Sequence, residues 1–234
     1  MERKKVFYCE MAYVVGLVVL AIGTAFMERA NFGMSMVVAP AYLVHLKVSE
    51  VLPFFSFGMA EYVFQALLLV LLSLLLVLLS LLMRKVKRSY LLSFCTAFLY
   101  GLILDGAMAI MALLPLDGIV WQVFLYIAGM IVCSVGVALL FRSYFPPEAY
   151  ELVVKELSEK FHASIGKTKT IYDCCSCAAG VILSLCFFGT FVGVQWGTIV
   201  CALINGWMIG RISNWMENTF TFKDALPLRE KLNA

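Results

Sequence analysis

The chain has 234 residues, of which 63% are hydrophobic and only 14% are charged, and its formal net charge is +3. This composition is too apolar for a soluble domain of this size, and apolar runs of about 18 or more residues recur, as in transmembrane helices. So small a net charge gives no reason to expect a nucleic-acid partner. The sequence therefore predicts an integral protein of the lipid bilayer.

The first predicted span covers about residues 8–27 and follows a short basic segment. That pattern also suits a signal peptide, but the apolar run is long enough to span and lacks a small-residue cleavage site. It ends at Glu28, Arg29 and Asn31, which water or headgroups can solvate. We therefore interpret it as a membrane helix that stays in the protein.

The segment 31–57 is too apolar to lie free in water and too interrupted by Gly33, Pro40 and Pro53 to span, so we expect an interfacial or re-entrant element. The second span, 57–83, would extend roughly 40 Å as a helix, against a hydrocarbon slab of roughly 30 Å. It must therefore tilt or protrude. A basic run separates it from the third span, 90–114.

The later elements are a fourth span, a polar stretch, two more spans and a polar tail. In the polar stretch, Tyr150, Val154 and Phe161 recur at helical spacing, which predicts an amphipathic helix on the cytoplasmic surface. The predicted bounds are 120–141 for the fourth span, 148–161 for the amphipathic helix, 171–192 and 196–215 for the fifth and sixth spans, and 217–234 for a cytoplasmic tail.

An internal repeat organises the chain. The run YVVGLVVLAIG, which begins at Tyr13, returns as YIAGMIVCSVG from Tyr126, and Arg29 corresponds to Arg142 at the same offset of 113 residues. Self-similarity of this kind is the signature of duplicated architecture. The sequence thus divides into a first membrane repeat, 1–118, and a second, 119–216.

The distribution of Lys and Arg predicts the topology. Sixteen fall on the side of the termini in a six-span arrangement and two on the other side, which places the N and C termini in the cytoplasm. Because each half has three spans, the second half enters from the opposite side. We therefore predict an all-α polytopic protein with six transmembrane helices as two inverted three-helix repeats, an arrangement typical of secondary transporters. A five-span variant is the competing topology.

The segments PPEAYELVVKELSEKFHASIGKTKTIYDCCSC and WGTIVCALINGWMIGR, with RANFGMSMVVAP and LILDGAM in the first half, resemble the YczE and YitT type of multi-pass membrane proteins. The resemblance covers about residues 10–215. It implies five or six spans, the inner (cytoplasmic) membrane of a bacterium and no established biochemical activity. The cysteine-rich CCSC stands where that group usually has an aliphatic stretch.

Asp105 is the clearest candidate for function, because an ionisable group inside a span costs about 2.5–3.5 kcal/mol on insertion scales. Such groups normally face a cavity or a partner. The alternative is a carboxyl that is protonated by desolvation or that forms a structural hydrogen bond to a neighbouring helix.

Polar pairs stand at corresponding places in the two halves. Glu61 and Gln65 share one helix face at the start of the second span, and Lys169 and Asp173 correspond to them in the second half. We hypothesise that these pairs belong to two polar clusters at opposite ends of one pathway, each with an arginine at a helix end. The alternative for the arginines is interfacial snorkelling. The expected members are Arg29, Glu61 and Asp105 outside, and Arg142, Asp173 and Arg211 inside.

Two asparagines complete the candidate substrate or ion pathway. Asn31 and Asn205 are suited either to bind a substrate or to hydrogen-bond between helices, and packing is the preferred interpretation for Asn205. The glycines of the repeated runs indicate close helix contact, which serves a monomer or a homodimer.

Nothing in the sequence points to a metal, a cofactor or catalysis. Cys174, Cys175 and Cys177 diverge around a helix, and the two histidines lie in separate loops, so we expect no metal site and no disulfides. P-loop, serine-nucleophile and HExxH motifs are missing, so we expect no enzyme. The favoured function is a small secondary transporter of unknown substrate, coupled to protons through Asp105. The alternative is a membrane scaffold or regulator whose amphipathic helix binds a cytoplasmic partner.

Overall fold

The computed structural model describes residues 5–33, 39–52, 54, 56, 58–60, 63, 92–116, 118–190 and 195–227. The complete elements within these residues are, in chain order, β1 (Lys5–Tyr8), α1 (Cys9–Ala30), α2 (Ala39–Ser49), α3 (Leu92–Ala112), α4 (Ile119–Phe141), α5 (Ala149–Lys160), α6 (Ile165–Phe188), α7 (Trp196–Thr219) and β2 (Phe220–Lys223).

Four of the described helices are long and apolar enough to cross a membrane, namely α1, most of α3, α4 and α6. They correspond to predicted spans one, three, four and five, and they indicate a protein embedded in a membrane. Helix α7 has 24 residues and covers the sixth predicted span, but it is not among these four. Most of the second predicted span, with Glu61 and Gln65, lies outside the described residues.

The repeated glycines lie where α1 and α4 pack directly against each other. A Cβ added at Gly136 would lie 2.7 Å from the backbone N of Leu20, and one added at Gly23 would lie 2.6 Å from the backbone N of Cys133. Gly16 faces Gly136, and Gly23 faces Gly129, so the two helices run antiparallel. Small residues here let the two backbones touch.

We predict that Gly136→Ala lowers the free energy of unfolding by about 1–3 kcal/mol, because the new methyl group overpacks a contact formed by backbone atoms. Gly106→Ala is the matched control. It changes a glycine within α3 whose added Cβ meets nothing within 4 Å, so it should be neutral or slightly stabilising. Thermal unfolding of both purified variants provides the measurement. Equal losses in the two variants would contradict the contact.

The other helices pack alongside this central pair. Helix α3 runs parallel to α1, since the hydroxyl of Tyr13 lies 2.7 Å from Thr96 Oγ1 and that of Thr24 lies 2.9 Å from the Tyr100 hydroxyl. Helix α7 runs parallel to α4 and antiparallel to α6. This arrangement places the end of α4, the start of α6 and the end of α7 at one end of the helical bundle.

A two-stranded parallel sheet joins the chain ends. In it Lys5 pairs with Phe220 and Tyr8 with Lys223. Glu10 accepts further hydrogen bonds from the backbone N–H groups of Ala225 and Leu226, at 2.9–3.1 Å. The chain is mostly helical, as predicted, but the all-α description omitted this sheet. Because β1 leads into α1 and β2 follows α7, the start of α1 and the end of α7 lie side by side.

Several helix bounds differ from the predictions, most of all the start of α6. Helix α6 begins at Ile165, six residues before the predicted fifth span, because the charge of Lys169 is neutralised inside the protein rather than in a loop. Helix α7 continues to Thr219, into the predicted tail. The amphipathic helix spans Ala149–Lys160 and buries Tyr150 and Val154, whereas Phe161 is exposed.

Candidate functional site

The most unusual group of side chains is a buried ionic cluster centred on Lys169 of α6. Its ammonium nitrogen lies 2.5 Å from Glu151 Oε1 and 3.2 Å from Asp173 Oδ1. Lys169 and Asp173 are fully buried, and Glu151 is 2% exposed. One positive and two potentially negative groups therefore share an interior site.

The turn between α5 and α6 brings these charges together. Ser158 donates a hydrogen bond to the carbonyl of Ala163 at 2.7 Å, and His162 takes a left-handed conformation with φ of 50°. The turn folds α5 back onto α6, so the buried face of α5 presents Glu151 to Lys169. Burial of an unpaired charge would cost several kcal/mol, so each charge requires its partners.

Asn205 and Ser134 extend the cluster across the bundle. Asn205 Nδ2 donates to Asp173 Oδ2 at 3.3 Å, and Ser134 Oγ donates to Asn205 Oδ1 at 3.1 Å. A chain of polar contacts thus runs from α5 through α6 and α7 to α4. It brings together two of the predicted site residues, Asp173 and Asn205.

The carboxylate oxygens of the cluster can accept more hydrogen bonds than the neighbouring donors supply. Glu151 Oε2 and Asp173 Oδ1 are buried without a hydrogen-bond partner among the described residues, although the latter keeps its ion-pair contact with Lys169. With both acids ionised, the cluster carries a net negative charge away from water. A proton on either carboxylate would neutralise it, so the site is chemically suited to bind and release one proton.

Glu148 adds a third buried acid, close to this cluster and directly before α5. Its side chain is fully buried, and no other described residue donates a hydrogen bond to its carboxyl oxygens. Burial raises the pKa of Glu148 to about 8, and the nearby negative charge of Glu151 contributes to the rise. Glu148 is therefore mostly protonated at neutral pH.

Asp105 lies apart from this cluster, in the C-terminal half of α3. Its carboxylate accepts hydrogen bonds from the backbone N–H of Gly58 and from Ser56 Oγ, both at 2.7 Å. Residues 58–60 are helical, so Asp105 caps the start of that helical segment. It also lines a cavity of about 370 Å³ together with Met59 and Phe98.

The remaining predicted residues of the outer end make separate contacts. Arg29 donates to the carbonyl of Leu114 at 3.3 Å. Asn31 ends α1 in a left-handed conformation, with its backbone N–H bonded to the carbonyl of Glu28 at 3.1 Å. Since Glu61 lies outside the described residues, the grouping of Arg29, Glu61 and Asp105 stays a prediction.

Arg142 lies at the opposite end of the bundle, where α4 finishes. Its guanidinium donates to Ser213 Oγ at 2.8 Å and pairs with Glu217 at 3.1 Å. Arg142 and Arg211 line a single cavity of about 740 Å³ beside the start of α6. Asp173, which we predicted to join them, is instead buried with Lys169.

Comparison with known protein families adds one result: residues 7–214 match DUF6198, a family of unknown function. The chain belongs to this family. No curated protein and no solved structure matches the chain. Functional inference for this DUF6198 protein therefore depends on its own side chains.

Sequence reasoning missed Glu148 and Glu151 because they belong to the most polar stretch of the DUF6198 protein, which we interpreted as a surface helix. One signal was available: Glu151 follows Tyr150, a residue of the predicted apolar face. A carboxylate beside that face needs a partner, and Lys169 is a cation in a neighbouring apolar helix. These two features together predict a buried ion pair.

The cysteines of the DUF6198 protein lie both in its core and on its surface. All eight thiols are free. Cys174 and Cys175 are exposed and Cys177 is buried, so their side chains point to different sides of α6. Among the described residues, no three metal-ligating side chains converge.

Proposed function

We propose that this DUF6198 protein is a small proton-coupled secondary transporter, with its pathway between two inverted three-helix repeats. The observation that carries the proposal is the buried cluster of Lys169, Glu151 and Asp173, which has one cation for two carboxylates. Buried charges are expensive and add little net stability even when paired, so they are retained where function uses them. A reversible proton site away from water is what proton coupling needs.

The contact between α1 and α4 supports the inverted repeat. Gly16 and Gly129 are equivalent in the two repeats, as are Gly23 and Gly136. The structure pairs Gly16 with Gly136 and Gly23 with Gly129. This reciprocal pairing is what a twofold axis between two equivalent helices produces.

The strand pairing supports an even number of membrane crossings. Since β1 precedes α1 and β2 follows α7, both chain ends lie at one face of the bundle. Four apolar helices are long enough to cross the membrane. A total of six spans therefore requires α7 and the segment 57–83 to cross as well. The positive-inside distribution then places that face in the cytoplasm.

The scaffold alternative requires the amphipathic helix to offer its apolar face to a partner. In this structure that face lies against the protein, with Tyr150 and Val154 buried. The geometry therefore favours the transporter over the scaffold.

A proton-flux measurement tests the proposal. In proteoliposomes with an internal pH-sensitive dye, we expect some member of a metabolite and ion library to drive proton movement. Asp173→Asn should reduce that movement at least about tenfold, because the substitution removes a proton-binding carboxylate. Glu159→Gln, which changes an exposed acid on α5, is the matched control and should keep the wild-type rate. A folded Asp173→Asn protein with wild-type flux, or a library without any active compound, would refute the proposal.

A further inference from the structure

A large cavity lies at the start of α6, against α7. Its volume of about 740 Å³ falls in the range of small-molecule sites. Three basic side chains, Arg142, Lys167 and Arg211, line it, and none of the described residues that line it is acidic. The cavity is therefore electropositive.

The basic side chains are only partly neutralised by the described residues. Arg142 pairs with Glu217, whose side chain is 63% exposed and does not line the cavity. Lys167 and Arg211 form no ion pair with any residue in the described part of the chain. Arg211 lies over the ring of Trp207, with its guanidinium carbon 5.5 Å from the ring centre.

Backbone donors face the same cavity. Helix α6 is 24 residues long, and its first-turn N–H groups carry the positive end of the helix dipole. The residue that precedes the helix, Ser164, makes no side-chain capping hydrogen bond. Ser164 and Gly166 both line the cavity, so a hydroxyl donor and an amide donor stand beside the three cations. The Thr170 hydroxyl, which also lines it, donates instead to the carbonyl of Gly166 at 3.0 Å.

The equivalent place in the first half already holds a carboxylate. In the first half Gly58 packs on Gly101, and a Cβ added at Gly101 would lie 2.7 Å from the Gly58 carbonyl oxygen. In the second half Gly166 packs on Gly206 in the same way, and a Cβ added at Gly206 would lie 2.6 Å from the Gly166 carbonyl oxygen. Asp105, four residues after Gly101, accepts the hydrogen bonds of the first-half helix start.

In the second half the residue four positions after Gly206 is Gly210. A Cβ added there would meet only the Cα of Gly166, at 3.9 Å. The second half thus has the donors that bind Asp105 in the first half, and three cations besides, but a glycine in place of the carboxylate.

We propose that this cavity binds an oxyanion, the carboxylate or phosphate group of a soluble anion or of a lipid headgroup, in the place that Asp105 occupies in the first half. The binding site is independent of the transport function. Only the further step, that a soluble anion bound here is the transported substrate, rests on the proposed function.

Binding is tested with the full-length protein in nanodiscs of zwitterionic phosphatidylcholine. Sodium phosphate or sodium succinate is titrated at constant ionic strength, and the fluorescence of the tryptophans, which include Trp207, is recorded. We expect saturable binding of at least one anion. Arg211→Gln and Lys167→Gln should each weaken it at least about tenfold, while Lys160→Gln, the same change at an exposed lysine of α5, should leave it unchanged.

Gly210→Asp is the decisive variant, because it installs the carboxylate of the first half. We expect a folded protein with a higher Tm than wild type in the absence of added anion, and with anion binding at least about tenfold weaker. Wild-type anion affinity in this variant would overturn the proposal. Equal weakening by Arg211→Gln and Lys160→Gln would overturn it as well.

A second set of nanodiscs, made with phosphatidylglycerol, separates the two sources of the anion. If wild type has a higher Tm in these discs than in phosphatidylcholine discs, if Gly210→Asp loses that increase, and if neither phosphate nor succinate binds, the site belongs to a lipid headgroup. A response to neither soluble anion nor lipid refutes the site. Flux measured beside binding separates the two proposals. If Gly210→Asp loses anion binding but keeps its flux, the bound anion is not the transported substrate, and the binding site itself stands. Anion binding without any flux contradicts only transport.

Discussion

Lys169→Met is expected to lower the free energy of unfolding by about 3–5 kcal/mol, because it leaves Glu151 and Asp173 buried without their cation. Methionine keeps the unbranched side chain as far as the Cε position and lacks only the ammonium group, so most of the loss reports charge rather than a cavity. Denaturant or thermal unfolding of the purified protein, followed by circular dichroism, provides the measurement. The matched control is Lys167→Met, an exposed position two residues earlier in the same helix, where we expect a change within about 0.5 kcal/mol.

A double variant separates the ion pair from general disruption. Adding Glu151→Gln to Lys169→Met removes one of the two uncompensated charges, so the double variant should be more stable than Lys169→Met alone. The coupling between the two changes should amount to about 1–3 kcal/mol in a double-mutant cycle. If the losses of the single variants simply add, Lys169 and Glu151 do not interact as the structure indicates.

Local patterns allowed the helices to be predicted from the sequence. Six of the seven complete helices overlap a predicted span or the predicted amphipathic helix, because apolar length and helical spacing are properties of consecutive residues. The seventh, α2, lies inside the predicted interfacial or re-entrant segment, for which no helix was specified. The tyrosine and glycine repeat also predicted close contact, and the structure places Gly16 and Gly23 of α1 against α4. Local sequence therefore contains most of the fold.

Contacts between distant segments could not be predicted in the same way. The pairing of β1 with β2 joins residues about 215 positions apart, and four-residue strands carry no pattern of their own. The partner of Lys169 was missed for a related reason. Glu151 belongs to a polar helix, and only the turn at His162 folds that helix inward. The start of α6 was missed because Lys169 was treated as a solvated residue of a loop.

The same distinction between local patterns and distant contacts applies to the candidate site. Asp173 and Asn205 were predicted and do meet, because an ionisable or amide side chain within an apolar helix needs a partner wherever that partner lies. Arg142 and Arg211 were predicted and line one cavity, yet Asp173 is not with them. Sequence thus identified polar residues inside the membrane region, but the grouping required three-dimensional packing.

The two ends of the bundle differ in how they satisfy equivalent donors. In the first half Asp105 supplies a carboxylate to the helix start at Gly58 from its own chain. In the second half Gly210 supplies none, and basic side chains surround the corresponding helix start. In the proposed repeat arrangement, Asp105 occupies the first-half site permanently, and the second-half site is the one that the proposed external anion enters.

The other large effect we expect is on pH dependence, in Glu148→Gln. The pKa of Glu148 is about 8 in the folded protein against the usual 4.5, so between these values the folded state holds a proton that the unfolded state has released. The contribution of Glu148 to stability is therefore greatest below pH 4.5 and is lost progressively as the pH rises from there through 8. Glutamine has the shape of the protonated acid and no charge. The variant should lack this decline and should be more stable than wild type, by a few kcal/mol, at pH 8–9.

Tm measured from pH 5 to pH 9 tests this expectation. Wild type should lose Tm across the range relative to Glu148→Gln, and the two curves should converge at the acidic end. Glu159→Gln removes an exposed acid from the same helix and should follow the wild-type curve. Parallel curves for wild type and Glu148→Gln would mean that Glu148 is ionised in the folded protein. Because Glu148 lies beside the Lys169 cluster, convergence at acidic pH would also identify it as a second buried proton site next to the proposed pathway.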